Sequence, residues 1–153
     1  MTRGVRGFTV IELMFVVVIS GLITAIGMPK LRNALRQRAV RAAGNELVLS
    51  HSLARSTALR FGRGAQLRID VTEGRFWVDV DTSGTGMRDT IGVVHSLAEQ
   101  DIQISSNRAV LCFDARGLAA INATCSAGDA LIVLRSQNWT ETVRITPLGK
   151  VLR

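Results

Sequence analysis

The chain has no tyrosine, two histidines (His51 and His95), two cysteines (Cys112 and Cys125) and two prolines. These scarcities exclude several classes of function. The histidines lie far apart in sequence, and no third or fourth ligand stands at the spacing of a zinc site, so no metal centre is expected. No Gly-Lys-Ser/Thr stretch is present to cradle a phosphate, and no nucleophile-elbow motif marks out a reactive serine. Neither histidine has an evident acidic or cysteine partner nearby in sequence. The chain reads as a non-enzyme without a cofactor. It also lacks internal repeats and low-complexity tracts.

What is abundant is positive charge and an apolar beginning. The formal net charge is +7 over 153 residues, with a pI near 11.2. That balance points to an anionic partner, either nucleic acid or an anionic membrane surface. The charge is unevenly placed. Residues 30–63 hold eight bases (Lys30, Arg32, Arg36, Arg38, Arg41, Arg55, Arg60, Arg63) against one acid, Glu46. Residues 64–153 hold nine bases and ten acids. No acid follows Glu141, whereas Arg144, Lys150 and Arg153 do. The basic surface is thus a segment after the apolar run plus a patch at the C-terminal end.

The run Phe8–Met28 has 21 residues and a single charge, Glu12. At ~1.5 Å rise per residue, a helix of that length crosses a hydrocarbon core of ~30 Å. It exceeds the ~7–15 apolar residues of a secretory signal, and no A-x-A-like cleavage pattern follows it. The leader before it, MTRGVRG, is short and basic. A carboxylate at mid-membrane costs ~2.5–3.5 kcal/mol on insertion scales, so Glu12 needs a partner. A cut after Gly7 would create one, the α-amine of Phe8. Phe8 and Glu12 are four residues apart and share a helical face. The amine can pair with Glu12 of its own chain, or with that of a neighbouring subunit and so set the stagger between chains.

The stretch R-G-F-T-V-I-E-L, the apolar helix and then Pro29 resemble the N-terminus of type IV prepilins and type II secretion pseudopilins. The resemblance implies cleavage between Gly7 and Phe8 by a prepilin peptidase and methylation of the new Phe8 amine. It implies residence in the bacterial inner membrane as a single pass with the domain in the periplasm. Assembly with other major and minor pilins or pseudopilins follows, Glu12 meeting a neighbour's N-terminus in the filament. Pro29 would bend the helix at the membrane exit. Lys30, Arg32, Arg36, Arg38 and Arg41 lie on the outer side in this topology, against the positive-inside tendency. A long translocated domain overrides that tendency.

Beyond the run, Val40, Ala43, Leu47, Ala54, Ala58 and Phe61 recur at helical spacings and predict one apolar side. Leu31, Leu35, Ala42, Leu49 and Leu53 are expected to widen it. Lys30, Arg38, Arg41 and Arg55 fall on the opposite stripe, and RFGRG ends the helix, Gly62 and Gly64 both suiting a left-handed cap. Leu67, Ile69 and Val71 alternate with polar residues, turn at Glu73-Gly74, and Phe76, Val78 and Val80 alternate back as a hairpin. Further strands are expected at 90–95, 102–105, 110–114, 130–135 and 142–146, with turns at 114–117 and 136–138. The fold class is α+β: a long kinked N-terminal helix, transmembrane and then amphipathic, packed on an antiparallel β-sheet domain. The segments are a leader over 1–7, an apolar helix over 8–29, a basic amphipathic helix over 30–62 and a β-rich domain over 63–153.

LCFDARG, a Cys-bearing loop, a strand and VRITPLGKVLR resemble the C-terminal domain of the GspH/FimT family. In an exported domain Cys112 and Cys125 are expected to form a disulfide. Three roles then compete: a FimT-like minor pilin that binds incoming DNA in natural transformation, a minor pilin that primes or caps the pilus, and a GspH-type pseudopilin of type II secretion. Members of the FimT branch implicated in DNA uptake carry a Gly-Arg-rich tail. Gly149-Lys150-Val151-Leu152-Arg153 keeps its positive charge but has a lysine, which lacks the bidentate fork. Arg144, Lys150 and Arg153 are the expected contacts for sequence-independent DNA binding, with Arg135 and the bases of 55–63 as helpers. Asp79, Asp81 and Ser83 partly match a calcium loop, but Thr90 stands where the closing Glu belongs, so the stretch reads as a solvated turn. The triplets at Asn122 and Asn138 match the glycosylation pattern by chance. A bitopic membrane protein outside any filament is the alternative, and it predicts no cut before Phe8.

Overall fold

The computed structural model describes residues 9–121, 125–126 and 128–153. Among these residues, one α-helix and eight β-strands divide into two units, which part between residues 36 and 37. Helix α1, Val10–Phe61, runs through both.

Over residues 13–28 the side chains of α1 carry no charge, are apolar on every face apart from Ser20 and Thr24, and are exposed. A helix of this length and composition suits a membrane span. Its two hydroxyl side chains in this stretch, Ser20 and Thr24, are satisfied along the helix itself. Ser20 Oγ donates to the Val16 carbonyl (2.7 Å), and Thr24 Oγ1 donates to the Ser20 carbonyl (2.8 Å). Pro29 lies within the helix, where it withdraws one N–H from the ladder.

In the second unit α1 buries Val40, Ala43, Gly44, Leu47, Ser50, His51, Ala54, Thr57 and Ala58. The predicted apolar side is therefore present, but it is narrower than expected. Leu31, Leu35, Ala42, Leu49 and Leu53 are exposed, as is Phe61. Small and polar residues (Gly44, Ser50, His51, Thr57) occupy the close approach to the sheets instead. The helix stops at Gly62, whose φ of 62° is the left-handed cap, while Gly64 does not share it. The N–H groups of Gly62 and Arg63 donate to Leu59 and Ala58, which closes the last turn.

Two antiparallel sheets follow. The first has the order β3-β2-β1-β5, with β1 at Ala65–Asp70, β2 at Arg75–Val80, β3 at Asp89–Ser96 and β5 at Val110–Phe113. The second has the order β4-β6-β7-β8, with β4 at Gln103–Ser106, β6 at Ala130–Ser136, β7 at Trp139–Ile145 and β8 at Val151–Leu152. Period-2 alternation sends Leu67, Ile69, Phe76, Val78, Val80, Ile132, Leu134, Val143 and Ile145 into one core with α1. The β1–β2 hairpin forms with Asp70 opposite Arg75. Val71, expected to continue β1, is exposed in the turn instead, because Asp70 Oδ1 accepts the N–H groups of Thr72 and Glu73 (3.0 Å each) and ends the strand. Strand β7 starts at Trp139, earlier than expected, and β8 was not expected.

Candidate functional site

The expected processing residues Gly7 and Phe8, and the triplet at Asn122, lie outside the described residues. Glu12 is exposed in the first turn of α1, and its N–H donates to Thr9 Oγ1 (3.3 Å). Thr9 thus caps the helix that Glu12 belongs to. Thr9-Val10-Ile11-Glu12 is the T-x-x-E spacing of a capping box, a signal already legible in the sequence. A carboxylate in the first turn also suits the positive end of the helix dipole.

The four expected DNA contacts do not form one patch. Along β6, Leu131 stands opposite Arg144 and Arg135 opposite Thr140. Arg135 and Arg144 therefore share the solvent face of the second sheet, at its two ends. Arg144 forms an ion pair with Asp129. Arg153 folds back onto α1, where Nη1 donates to Asn45 Oδ1 (2.6 Å) and Nε lies 3.9 Å from Glu141. Lys150 is exposed in the β7–β8 connection, and among the described residues it and Arg135 form no ion pair. That connection is a tight turn: Gly149 N–H donates to the Thr146 carbonyl (2.8 Å), and Thr146 N–H donates to the Lys150 carbonyl (2.9 Å).

Among the helper bases, Arg55 does not stand free on the stripe opposite the apolar side. It is half-buried, Nε donating to the Gly117 carbonyl (2.9 Å) and Nη1 to the Gly149 carbonyl (3.4 Å). Arg60 lies over the Phe61 ring, and Arg63 lies 3.8 Å from Asp81.

The cysteines pair as expected. Cys112 and Cys125 form a disulfide with Cα atoms 5.9 Å apart. The histidines diverge. His51 is 2% exposed and edge-on to Phe113, with ring centroids 5.3 Å apart. Burial, and then the nearby Arg55 charge, lower its pKa from 6.5 to about 4. His95 has an acidic partner far from it in sequence: Nδ1 lies 3.2 Å from Glu46, and the ring stacks on Phe76. The partner is distant in the chain and is brought close by α1.

The partial calcium pattern is committed elsewhere. Asp79 lies in the first sheet between Arg68 (2.7 Å) and Arg88 (3.2 Å). Asp81 accepts the N–H groups of Gly84 (2.6 Å) and Gly86 (2.9 Å). The Gly86 N–H foremost, with Gly84 and Arg63, holds the Asp81 carboxyl below its usual range. The Leu118 N–H foremost, with Arg116, does the same for Asp114. Both carboxylates serve as turn acceptors.

Residues 2–28 match the prokaryotic N-terminal methylation motif. The fold is similar to the Pseudomonas aeruginosa (strain PAO1) type IV minor pilin FimU in one crystal form. The TM-score is 0.57 at 14% identity, over 76% of this chain and 88% of that one. The chain has a type IV pilin fold. A second crystal form of FimU gives a TM-score of 0.48 at 13% identity, over 73% and 90% of the two chains. No curated protein matched the sequence. Among the described residues no group of three or more His, Cys, Asp or Glu side chains is placed to hold a metal ion.

Proposed function

We propose that this chain is a minor pilin of the GspH/FimT branch, a subunit of a type IV pilus filament whose domain binds DNA weakly and without sequence preference. The observation that carries the reading is the methylation motif on residues 2–28 of a chain with a minor-pilin fold. In this reading a prepilin peptidase cuts between Gly7 and Phe8, and the Phe8 amine is methylated. The apolar helix then passes from the inner membrane into the filament, with the domain on the periplasmic side. Glu12, exposed in the first turn, is free to meet the amine of a neighbouring pilin. Mass spectrometry of the protein from its native envelope tests this: a methylated terminus at Phe8 is expected, and an intact start at Met1 overturns it.

The DNA part rests on unpaired cations. Lys150 and Arg135 are exposed and, among the described residues, pair with no carboxylate. Arg144 and Arg153 already face Asp129 and Glu141, so they contribute less. Repetition along a filament turns weak sites into useful avidity. The pairing of Arg144 and Arg153 favours a second reading, a minor pilin that primes or caps assembly without binding DNA. Titration of the detergent-solubilised full chain with duplex DNA at several salt concentrations separates the two. Salt-dependent binding supports the first reading, and its absence at low salt supports the second.

A further inference from the structure

Arg55 is a half-buried cation with two carbonyl acceptors and, among the described residues, no carboxylate partner. Its acceptors belong to two glycine turns that are distant in the chain. Both glycines have positive φ, 70° at Gly117 and 76° at Gly149. Both are also places of close approach. A Cβ on Gly149 would sit 3.1 Å from Arg55 Nη1, and one on Gly117 would sit 3.2 Å from the Arg55 carbonyl and from Leu59 Cγ. Only glycine lets each turn reach the guanidinium.

Each of these glycines has a basic neighbour: Arg116 precedes Gly117, and Lys150 follows Gly149. Both neighbours are exposed. By holding the two turns, Arg55 brings together two basic residues that sequence separates. Among the described residues Asp114 pairs with Arg116, whose Nε and Nη2 both reach it (3.0 Å each), and it also accepts the Leu118 N–H (2.9 Å). Three cations against one carboxylate leave the site net positive.

We propose that Arg55, Arg116 and Lys150 form one site for the phosphodiester backbone of duplex DNA, assembled by the Arg55 guanidinium holding the carbonyls of Gly117 and Gly149. This rests on the DNA-binding reading above and replaces its scattered contacts with a single locus. Arg55 is a positioning residue, Lys150 supplies the unpaired exposed charge, and Arg116, 79% exposed at its side chain, adds a second cation that shares Asp114. A lysine at position 55 keeps the charge but cannot span two carbonyls.

The test is a titration of the detergent-solubilised full chain with a labelled duplex across a salt series. Lys150→Gln and Arg116→Gln are each expected to weaken binding roughly three- to tenfold and to lower the salt slope by about one. Arg75→Gln, an equal charge change on β2, is expected to alter binding less than about twofold. Arg55→Lys is expected to weaken binding despite its unchanged charge. If the chain binds DNA but Lys150→Gln and Arg116→Gln behave like Arg75→Gln, this site is wrong and the DNA reading stands. If the unaltered chain binds no DNA at low salt, the DNA reading fails and the site fails with it.

Discussion

Arg153, the last residue, donates from Nη1 to Asn45 Oδ1 on α1, 108 positions earlier in the chain. Gly44 lies under this contact, where a Cβ would meet Glu141 Cγ at 3.0 Å and Arg153 Nη2 at 3.4 Å. The C-terminal end is therefore packed onto the helix, and a bare α-carbon at position 44 permits it. Gly44→Val forces the Glu141–Arg153 pair aside and is expected to cost ~1–3 kcal/mol in urea unfolding. Gly44→Ala costs less, because alanine regains up to ~1 kcal/mol of helix preference. Arg153→Gln changes stability by under ~1 kcal/mol, since its partners are partly exposed, and it weakens DNA binding less than Lys150→Gln.

His51 makes stability depend on pH. Its pKa is lowered from 6.5 to about 4 by burial and by Arg55. The folded chain therefore keeps it neutral, while the unfolded chain takes up a proton below about pH 6.5. Its contribution is complete above that pH, is lost as pH falls from 6.5 towards 4, and amounts to ~3 kcal/mol. Denaturant midpoints at pH 7.5, 5.5 and 4 should fall in step, and His51→Leu should flatten that fall. Asp81 and Asp114 act in a separate window. Their lowered carboxyls contribute above the ordinary 3.8 and lose that contribution only at more acid pH. A His51→Leu chain as acid-sensitive as the original between pH 7.5 and 5.5 would contradict this account.

What could be read in advance followed from short-range rules. The alternation of Leu67, Ile69, Phe76, Val78 and Val80 predicts a hairpin because side chains on a strand repeat every two residues. The cap at Gly62 is legible because few other residues tolerate its φ. The functional site was less legible, because its contacts depend on residues far apart in sequence. Nothing in V-R-I-T-P-L-G-K reveals that Arg144 pairs with Asp129 or that Arg55 holds Gly149. Strand β8 has two residues, too few to show a period. The helix face was misjudged in width because Leu49 and Leu53 are as apolar as Leu47. Only the position of the sheets decides which leucine is buried.

The disulfide closes a loop between positions 13 apart in sequence. In the chain-entropy account such a loop contributes ~3 kcal/mol by restricting the unfolded chain. Cys112 lies in β5, and its sulfur accepts from the buried Gln66 Nε2 (3.4 Å), so the bridge fastens Cys125 to the first sheet. Reduction, or the double change Cys112→Ser and Cys125→Ser, is expected to lower unfolding free energy by ~2–4 kcal/mol. Hydrogen exchange should quicken in β5 and at Leu118, whose N–H is held by Asp114. An equal quickening in β6 and β7 would mean that the bridge supports the whole domain.

Leu47 and Leu49 separate the two apolar stripes of α1. Leu47 is 0% exposed in the core, whereas Leu49 is 68% exposed two residues later. Truncating a fully buried leucine removes its transfer free energy and leaves a cavity, so Leu47→Ala should cost ~2–5 kcal/mol. Leu49→Ala removes surface already in water and should change stability by no more than ~0.5 kcal/mol, with alanine's helix preference in its favour. Urea unfolding of the detergent-solubilised full chain measures both. If Leu49→Ala costs as much as Leu47→Ala, the outward stripe is covered in the isolated chain and the placement of α1 on the sheets is wrong. If the expected difference is found in the isolated chain, the comparison can be repeated in assembled filaments. A cost at Leu49 that arises only there would locate the stripe in a subunit contact.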